Sequence, residues 1–312
     1  MAQFLTVENL DVRYAAEKGY IYAVDDVSFS LDAGESVGIA GESACGKSTL
    51  GLSIMRAIQG GQVTSGKILI NGESILDLAE EQFDNEYRWK KISMVFQGAM
   101  NSLDPVFTVS QQLSDVLRQH RFSGNYSDVM THAMQAVGLK DDVLQKYPHE
   151  LSGGMKQRVI IAMALLLNPK IMIADEPTTA LDVLVQAQIL NLLKSLKKNG
   201  MSIILISHDL SVISEICEKI GIMYGGKMVE FGTSHEIFES PKHPYTQALI
   251  QSIPRLHGGE KPKFIPGSPP NLLDPKPGCR FIDRCPHAIE KCKQDPPRFK
   301  TDSGYVLCWL YE

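Results

Sequence analysis

The chain has 312 residues, 44% of them apolar and 21% charged, which leaves room for one large domain plus an appendage or for two domains of an ordinary globular protein. A formal net charge of −5 with no block of lysines and arginines argues against nucleic acid as a partner. The opening stretch MAQFLTVENL lacks the basic start and apolar core of a signal peptide, and the longest apolar run, Val159–Leu167, falls far short of the roughly 20 residues of a membrane span. The expectation is a cytosolic chain that reaches a membrane only by docking onto something already there.

The first clear strand is Val37–Ala40, too short and too continuously apolar for an amphipathic helix. It runs directly into GESACGKST, residues 41–49, which matches G-x-x-x-x-G-K-[ST] in the strand–loop–helix setting that motif requires. In such a loop Gly41, Glu42, Ser43, Ala44, Cys45 and Gly46 wrap their N–H groups towards a phosphate. Lys47 reaches the outer phosphate oxygens, and Ser48, followed by Thr49, offers a hydroxyl to Mg²⁺.

Residues 106–167 read as helical throughout. Val109, Leu113, Val116 and Leu117 share one face, and Ser127 is the expected N-cap of a helix carrying Val129, Ala133, Met134 and Val137, with Gly138 at its end. A helical block of about sixty residues is thus inserted into an α/β sheet domain. Inside it lies LSGGMKQR, residues 151–158, where Ser152, Gly153 and Gly154 open a helix with free N–H groups. That is a second anion-binding helix start in a chain that already has a phosphate loop.

The next strand, Ile171–Ala174, ends in the adjacent carboxylates Asp175 and Glu176, at the strand edge where ligands of open α/β sheets collect. Asp175 is the expected Mg²⁺ partner and Glu176 the general base for an attacking water. Leu181, Val185, Ile189, Leu192 and Leu196 then mark a helix that Gly200 can end, and Ile203–Ile206 is a third strand. Cys217 falls on a helix face and is expected in the core. Past residue 235 the composition shifts: ten of sixteen prolines lie beyond residue 250, and Cys279, Cys285, Cys292 and Cys308 crowd the end. The expected division is an α/β body over 1–235 (its helical part at about 100–167), a bridging helix over 236–256, and an irregular cysteine-bearing extension over 257–312.

Taken together, GESACGKST, LSGGMKQR and IMIADEP resemble the nucleotide-binding subunit of ABC transporters, a P-loop NTPase of α/β class. Gln97 in MVFQGAMNSLDP matches the family's Q-loop, Asp182 in ALD its D-loop, His208 in LISHD its switch histidine, and Tyr14 the aromatic that stacks on adenine, with Tyr20 and Tyr22 close by. The resemblance implies ATP and Mg²⁺ as ligands, with Ser48, Gln97 and Asp175 around the metal and Lys47, Gln97, Glu176 and His208 serving catalysis. It also implies two such subunits packed head to tail. Ser152, Gly153, Gly154 and Gln157 then serve the ATP of the facing subunit, which accounts for the second anion-binding helix start.

SPKHPYTQALIQSIP and the cysteine-bearing tail resemble dipeptide and oligopeptide importer ATPases of the D type. That implies a second ATPase subunit, a paralogue in a heterodimer, two membrane permeases, and indirectly an extracytoplasmic binding protein. It places the chain peripherally on the cytoplasmic face of the membrane. Nickel, glutathione and oligosaccharide importers share the tail, so the cargo stays open. Repair and ribosome-associated ABC ATPases are the rival class. The gap of 105 residues from Lys47 to Ser152 holds no sustained heptads, and each motif occurs once, which speaks against them. A groove formed by the helical block and residues 97–105 is expected to dock a permease helix through Met100 and Leu103.

The last four cysteines are spaced C-x₅-C, C-x₆-C and C-x₁₅-C, without the close pairs of a zinc knuckle, and a reducing cytosol disfavours disulfides. Cys279, Cys285, Cys292 and Cys308 suit a [4Fe–4S] cluster, which the resemblance also implies; Zn²⁺ and plain thiols remain the alternatives.

Overall fold

The computed structural model describes residues 3–253 and 264–312, and the chain divides into two units. The first comprises Met1–Asp32, Ser36–Leu76 and Leu205–Glu312; the second comprises Ala33–Glu35 and Asp77–Ile204.

In the first unit β1 (Gln3–Ala16) and β2 (Gly19–Asp32) form a long antiparallel hairpin. Leu5 and Val7 point into the core, then the phase changes and Leu10 and Val12 do so. A register shift between Val7 and Leu10, with Asn9 at φ 46°, supplies the extra residue that flips the alternation. β3 (Ser36–Ala40), buried along its whole length, leads into the phosphate loop and α1 (Lys47–Ile54). β4 (Gly61–Ile70) pairs with the other edge of β1, and β5 (Glu73–Ser74) completes a four-stranded sheet of order β2-β1-β4-β5.

The second unit runs through α2 (Glu80–Glu86), β6 (Ile92–Val95), α3 (Val109–Gln119), α4 (Tyr126–Ala136), α5 (Gly153–Leu165), β7 (Ile171–Asp175), α6 (Val183–Lys198) and β8 (Ser202–Ile206). β6 and β7 pair in parallel from Ile92↔Ile171 to Val95↔Ala174, and β8 lies on the other side of β7. Every residue of the three strands is buried, which is why Ile171–Ala174 and Ile203–Ile206 read as unbroken apolar runs, whereas β6 carries the buried Ser93. The expected strands are all present. The region 106–167 is helical with interruptions: residues 120–125 and 137–140 are outside α3 to α5, and short 3₁₀ turns precede α5. The cap of α4 is Asn125, whose side chain accepts from the Ser127 N–H at 2.9 Å, so Ser127 is not the cap residue. Both residues can cap; the chain turns two residues earlier than local propensity indicates.

β8 carries the chain back to the first unit, which continues with α7 (Leu210–Ile216), β9 (Lys219–Tyr224), β10 (Lys227–Thr233), α8 (Ser234–Glu239), α9 (Pro244–Gln251), β11 (Phe299–Lys300) and β12 (Tyr305–Val306). Strand order there is β11-β12-β10-β9-β3, with β3 and β9 parallel. α7 covers β3 so closely that a Cβ on Gly38 would stand 2.2 Å from the Ile213 side chain. Cys217, at the end of α7, is buried as expected. The C-terminal extension is woven into this unit. β12 pairs with β10 through Glu230↔Val306 and Phe231↔Tyr305, the Tyr305 hydroxyl donates to Ser28 O at 2.7 Å, and Arg280 forms an ion pair with Asp25 at 2.6 Å.

Candidate active site

The phosphate loop owes its shape to crowding by other backbone. A Cβ on Gly41 (φ 152°) would stand 2.1 Å from Met223 O, and one on Gly46 (φ 104°) 2.0 Å from Ala23 O. Only glycine fits either place. Lys47, 6% exposed, donates from Nζ to the carbonyls of Gly41 at 2.8 Å and Glu42 at 2.9 Å, so its ammonium lies inside the curve of the loop. Gly226 N–H holds Cys45 O at 3.1 Å, and the Tyr245 hydroxyl accepts from Glu42 N–H at 3.0 Å. α1 begins at Gly46 without a side-chain cap, which leaves its first amides to the loop's concave side. Burial pushes the Cys45 thiol above its ordinary pKa although Lys47 Nζ is 3.7 Å away, so this cysteine is a packed side chain and a poor redox sensor.

Of the three tyrosines in the β1–β2 hairpin, Tyr14 stands beside the loop, its hydroxyl 3.5 Å from Thr49 Oγ1. Tyr22 is engaged by the Arg13 guanidinium, 4.2 Å from its ring centre, and Tyr20 is exposed at the hairpin end. His208 is exposed immediately past β8. Its neighbours hold that position: Ser207 N–H donates to Ile39 O at 3.1 Å, and Asp209 caps α7 through Ser211 N–H at 2.8 Å.

In the second unit Asp175 ends β7, 3% exposed, and Glu176 follows with φ 47°. A left-handed glutamate costs on the order of 1 kcal/mol, a strain of the kind found at functional turns. Its Oε2 accepts from Gln97 Nε2 at 3.1 Å and from Thr179 Oγ1 at 2.9 Å, which brings two of the expected catalytic side chains together. Ser152 caps α5, accepting from Met155 N–H at 3.4 Å, and Ser152 and Gly153 are exposed at the helix start. Gly154 plays a second role: a Cβ there would stand 2.6 Å from Val185 Cγ1, so this glycine lets α5 approach α6. Gln157 is 4% exposed, turned into its own unit and not presented at the surface as the resemblance implies. It lies one helical turn beyond the exposed start, on the face that packs. Asp182 caps α6 through Val185 N–H at 2.9 Å, and the next two residues, Val183 and Leu184, are 84% and 71% exposed. Leu103 is buried and Met100 half-buried, so neither is a free docking contact; the exposed apolar side chains of that segment are Val106 and Phe107.

Cys279, Cys285, Cys292 and Cys308 all line one narrow cavity, together with His243, Ile282, His287, Trp309 and Leu310. None forms a disulfide. Cys279 N–H donates to Cys292 O at 2.8 Å, and Gly278 (φ 111°), where a Cβ would stand 2.7 Å from Cys292 O, lets the two chain segments approach. Burial pushes Cys279 up to about 12, and Cys285 and Cys308 are raised by the same cause. The neighbouring sulfurs raise Cys279 further. Burial holds the His243 imidazole down at about 3, hence neutral. Among the described residues no group of three or more His, Cys, Asp or Glu is arranged so as to hold a metal ion.

Two residues of this site, Tyr245 and Arg284, escape the sequence. Arg284 pairs with Glu42 from 242 positions away, and no local pattern announces such a pairing.

A phosphate loop, a glutamate after a buried strand aspartate, and a serine–glycine helix start define an ATP-binding cassette ATPase. Residues 24–179 match the ABC transporter family, and residues 229–292 the C-terminal region of oligopeptide/dipeptide transporters. The chain is 42% identical to the dipeptide transport ATP-binding protein DppD of Bacillus subtilis over 100% of its own length and 96% of that protein. It is 45% identical to the oligopeptide transport ATP-binding protein OppD of Escherichia coli over 94% of its length and 88% of that protein. Among solved structures, the dimeric ATP-binding cassette MJ0796 in a post-hydrolysis state bound to ADP and Pi is 29% identical. It covers 74% of this chain and 98% of its own, with a TM-score of 0.65. The chain belongs to the ABC transporter ATPases, in the branch of dipeptide and oligopeptide transport ATP-binding proteins.

Proposed function

We propose that this chain is the ATP-hydrolysing subunit that powers import of dipeptides or oligopeptides through membrane permeases. The observation that carries this reading is full-length similarity to peptide transport ATP-binding proteins, tail included. In the first unit Lys47 and the loop amides take the phosphates, Ser48 offers a hydroxyl to Mg²⁺, Tyr14 stacks on the base, and His208 contacts the γ-phosphate. In the second, Asp175 holds Mg²⁺, Glu176 takes the proton of the attacking water, and Gln97 orients it through the bond to Glu176. Ser152 and Gly153 serve the ATP of a facing cassette, a paralogous subunit. The exposed Val183 and Leu184 are suited to burial in that partner, in keeping with the dimeric state of a related cassette. Val106 and Phe107 are the proposed contacts for a permease helix. Among the described residues no helix is long and apolar enough to cross a membrane, which fits a peripheral place on the cytoplasmic face.

The four cysteines, we infer, hold a [4Fe–4S] cluster. What supports it is the donor set alone: four cysteines line one cavity, and four thiolates are the full ligand set of such a cluster. Such a group would clip together a tail poor in apolar core; Zn²⁺ is the alternative occupant.

The test is reconstitution with the cognate permeases and binding protein in vesicles. ATP-dependent uptake of a labelled tripeptide supports the reading, whereas uptake of nickel or glutathione with no peptide uptake overturns the cargo.

A further inference from the structure

The Arg284 side chain is 6% exposed, and each of its five N–H groups has an acceptor. Nη1 donates to Glu42 Oε2 at 2.9 Å and to the Tyr224 hydroxyl at 3.1 Å. Nη2 donates to Glu42 Oε1 at 3.0 Å and to Ile265 O at 3.4 Å, and Nε donates to Pro266 O at 2.7 Å. The guanidinium lies 5.6 Å from the centre of the Tyr224 ring and 5.8 Å from that of Phe281. Those rings and Tyr245 form a buried aromatic cluster with centroids 4.4 to 5.4 Å apart. A lysine could satisfy neither the fork nor the count.

The target is unusual. Glu42 is the second residue of the phosphate loop and the loop's one acidic side chain. Its carboxylate is gripped by Arg284, its N–H donates to the Tyr245 hydroxyl, and its carbonyl accepts from Lys47 Nζ. The same extension reaches the hairpin that bears Tyr14: Tyr22 N–H donates to Leu272 O at 2.9 Å, and Asp274 N–H to Tyr20 O at 2.9 Å.

We propose that Arg284 is a positioning residue for the nucleotide site: through its two-pronged pair with Glu42, the C-terminal extension holds that carboxylate and cancels the one negative charge of the phosphate loop that would repel a triphosphate. Unpaired, the Glu42 carboxylate would sit in the wall of an anion site, where like charges several ångströms apart in a partly buried setting repel substantially. Because Cys285 follows directly, the turn that delivers Arg284 also forms part of the cysteine cavity. The inference rests on residues 41–49 being the ATP phosphate loop.

The experiment measures ATP affinity of the full chain with a fluorescent ATP analogue, for the unmodified protein and for Lys47→Ala, Arg284→Ala, Arg284→Lys and the double variant Glu42→Gln/Arg284→Ala. Arg284→Ala is expected to weaken binding about tenfold, with a larger effect on KM than on kcat. Arg284→Lys, which keeps the charge but not the fork, is expected to weaken binding about fourfold, less than alanine but clearly more than twofold. The double variant is expected to return to within about threefold of the original. A merely structural role predicts the opposite, a double variant at least as weak as the single. Unfolding midpoints without nucleotide identify any variant lost to misfolding, and the Arg284→Lys comparison then decides. Arg284→Ala or Arg284→Lys binding within twofold of the unmodified chain, or no recovery in the double variant, overturns the proposal. Undiminished binding by Lys47→Ala would instead overturn the reading of the loop itself.

Discussion

Gln97 donates through Nε2 to Glu176 Oε2 across 3.1 Å, on a glutamate whose backbone is held in a left-handed conformation at φ 47°. That bond, with a second from Thr179 Oγ1 to the same oxygen, fixes the orientation of the carboxylate. A base so oriented is expected to contribute roughly 10²–10⁴-fold to turnover. Glu176→Gln should therefore keep ATP binding and lose at least about a hundredfold in steady-state phosphate release. Its ATP-bound form should accumulate as a dimer in size-exclusion chromatography. Hydrolysis at the unmodified rate would remove Glu176 from the role of base.

The helix start at Ser152 calls for a different choice of variants than the motif alone indicates. Gly154 is packed against Val185, so Gly154→Asp should lower the unfolding midpoint by overpacking worth about 1–3 kcal/mol, whatever it does to catalysis. Around Gly153 the nearest side chain would be 3.7 Å from a Cβ, an ordinary contact. Gly153→Asp should thus fold normally, and Ser152→Arg, which removes the cap of α5, at a cost of about 1 kcal/mol; both should bind ATP in the isolated chain nearly as before and fail to turn over. A large loss of ATP affinity in the monomeric protein would sink the reading that this helix serves a facing nucleotide.

Val106 and Phe107 are 69% and 44% exposed on a segment where Leu103 is buried. Replacing both by serine should cut ATP-dependent uptake in reconstituted vesicles severalfold more than basal hydrolysis, because these side chains would anchor the permease and leave the nucleotide untouched. Leu103→Ala should instead destabilise the chain by about 2–5 kcal/mol as a core truncation, read by denaturant unfolding. Equal loss of uptake and hydrolysis from the serine pair would count against docking there.

Protein purified without oxygen should be brown and carry about four iron atoms per chain. Cys285→Ser should lose the colour and expose the tail to protease, since the cavity would lack one of its four thiols. Colourless protein with one equivalent of zinc would replace the cluster by a single ion.

Much of this molecule is legible from residue order because its chemistry is local. The phosphate loop, the carboxylates after β7 and the Ser152 helix start each need only a few neighbouring residues in a fixed backbone path, so spacing alone reveals them. Buried parallel strands likewise announce themselves as short apolar runs. Local propensity could not choose between Asn125 and Ser127 as a cap, since both side chains can accept from a first-turn amide, nor foresee that Gln157 is buried. Least visible is the Arg284–Glu42 pair, which joins residues 242 positions apart. Its geometry exists only in the folded chain, where the Tyr224 and Phe281 rings flank the guanidinium and Tyr245 packs against both. That this chain grips a triphosphate was written in the order of its residues. That its cysteine-bearing tail reaches the loop that does so emerged with folding, since burial and long-range hydrogen bonding, unlike spacing, are properties of the folded whole.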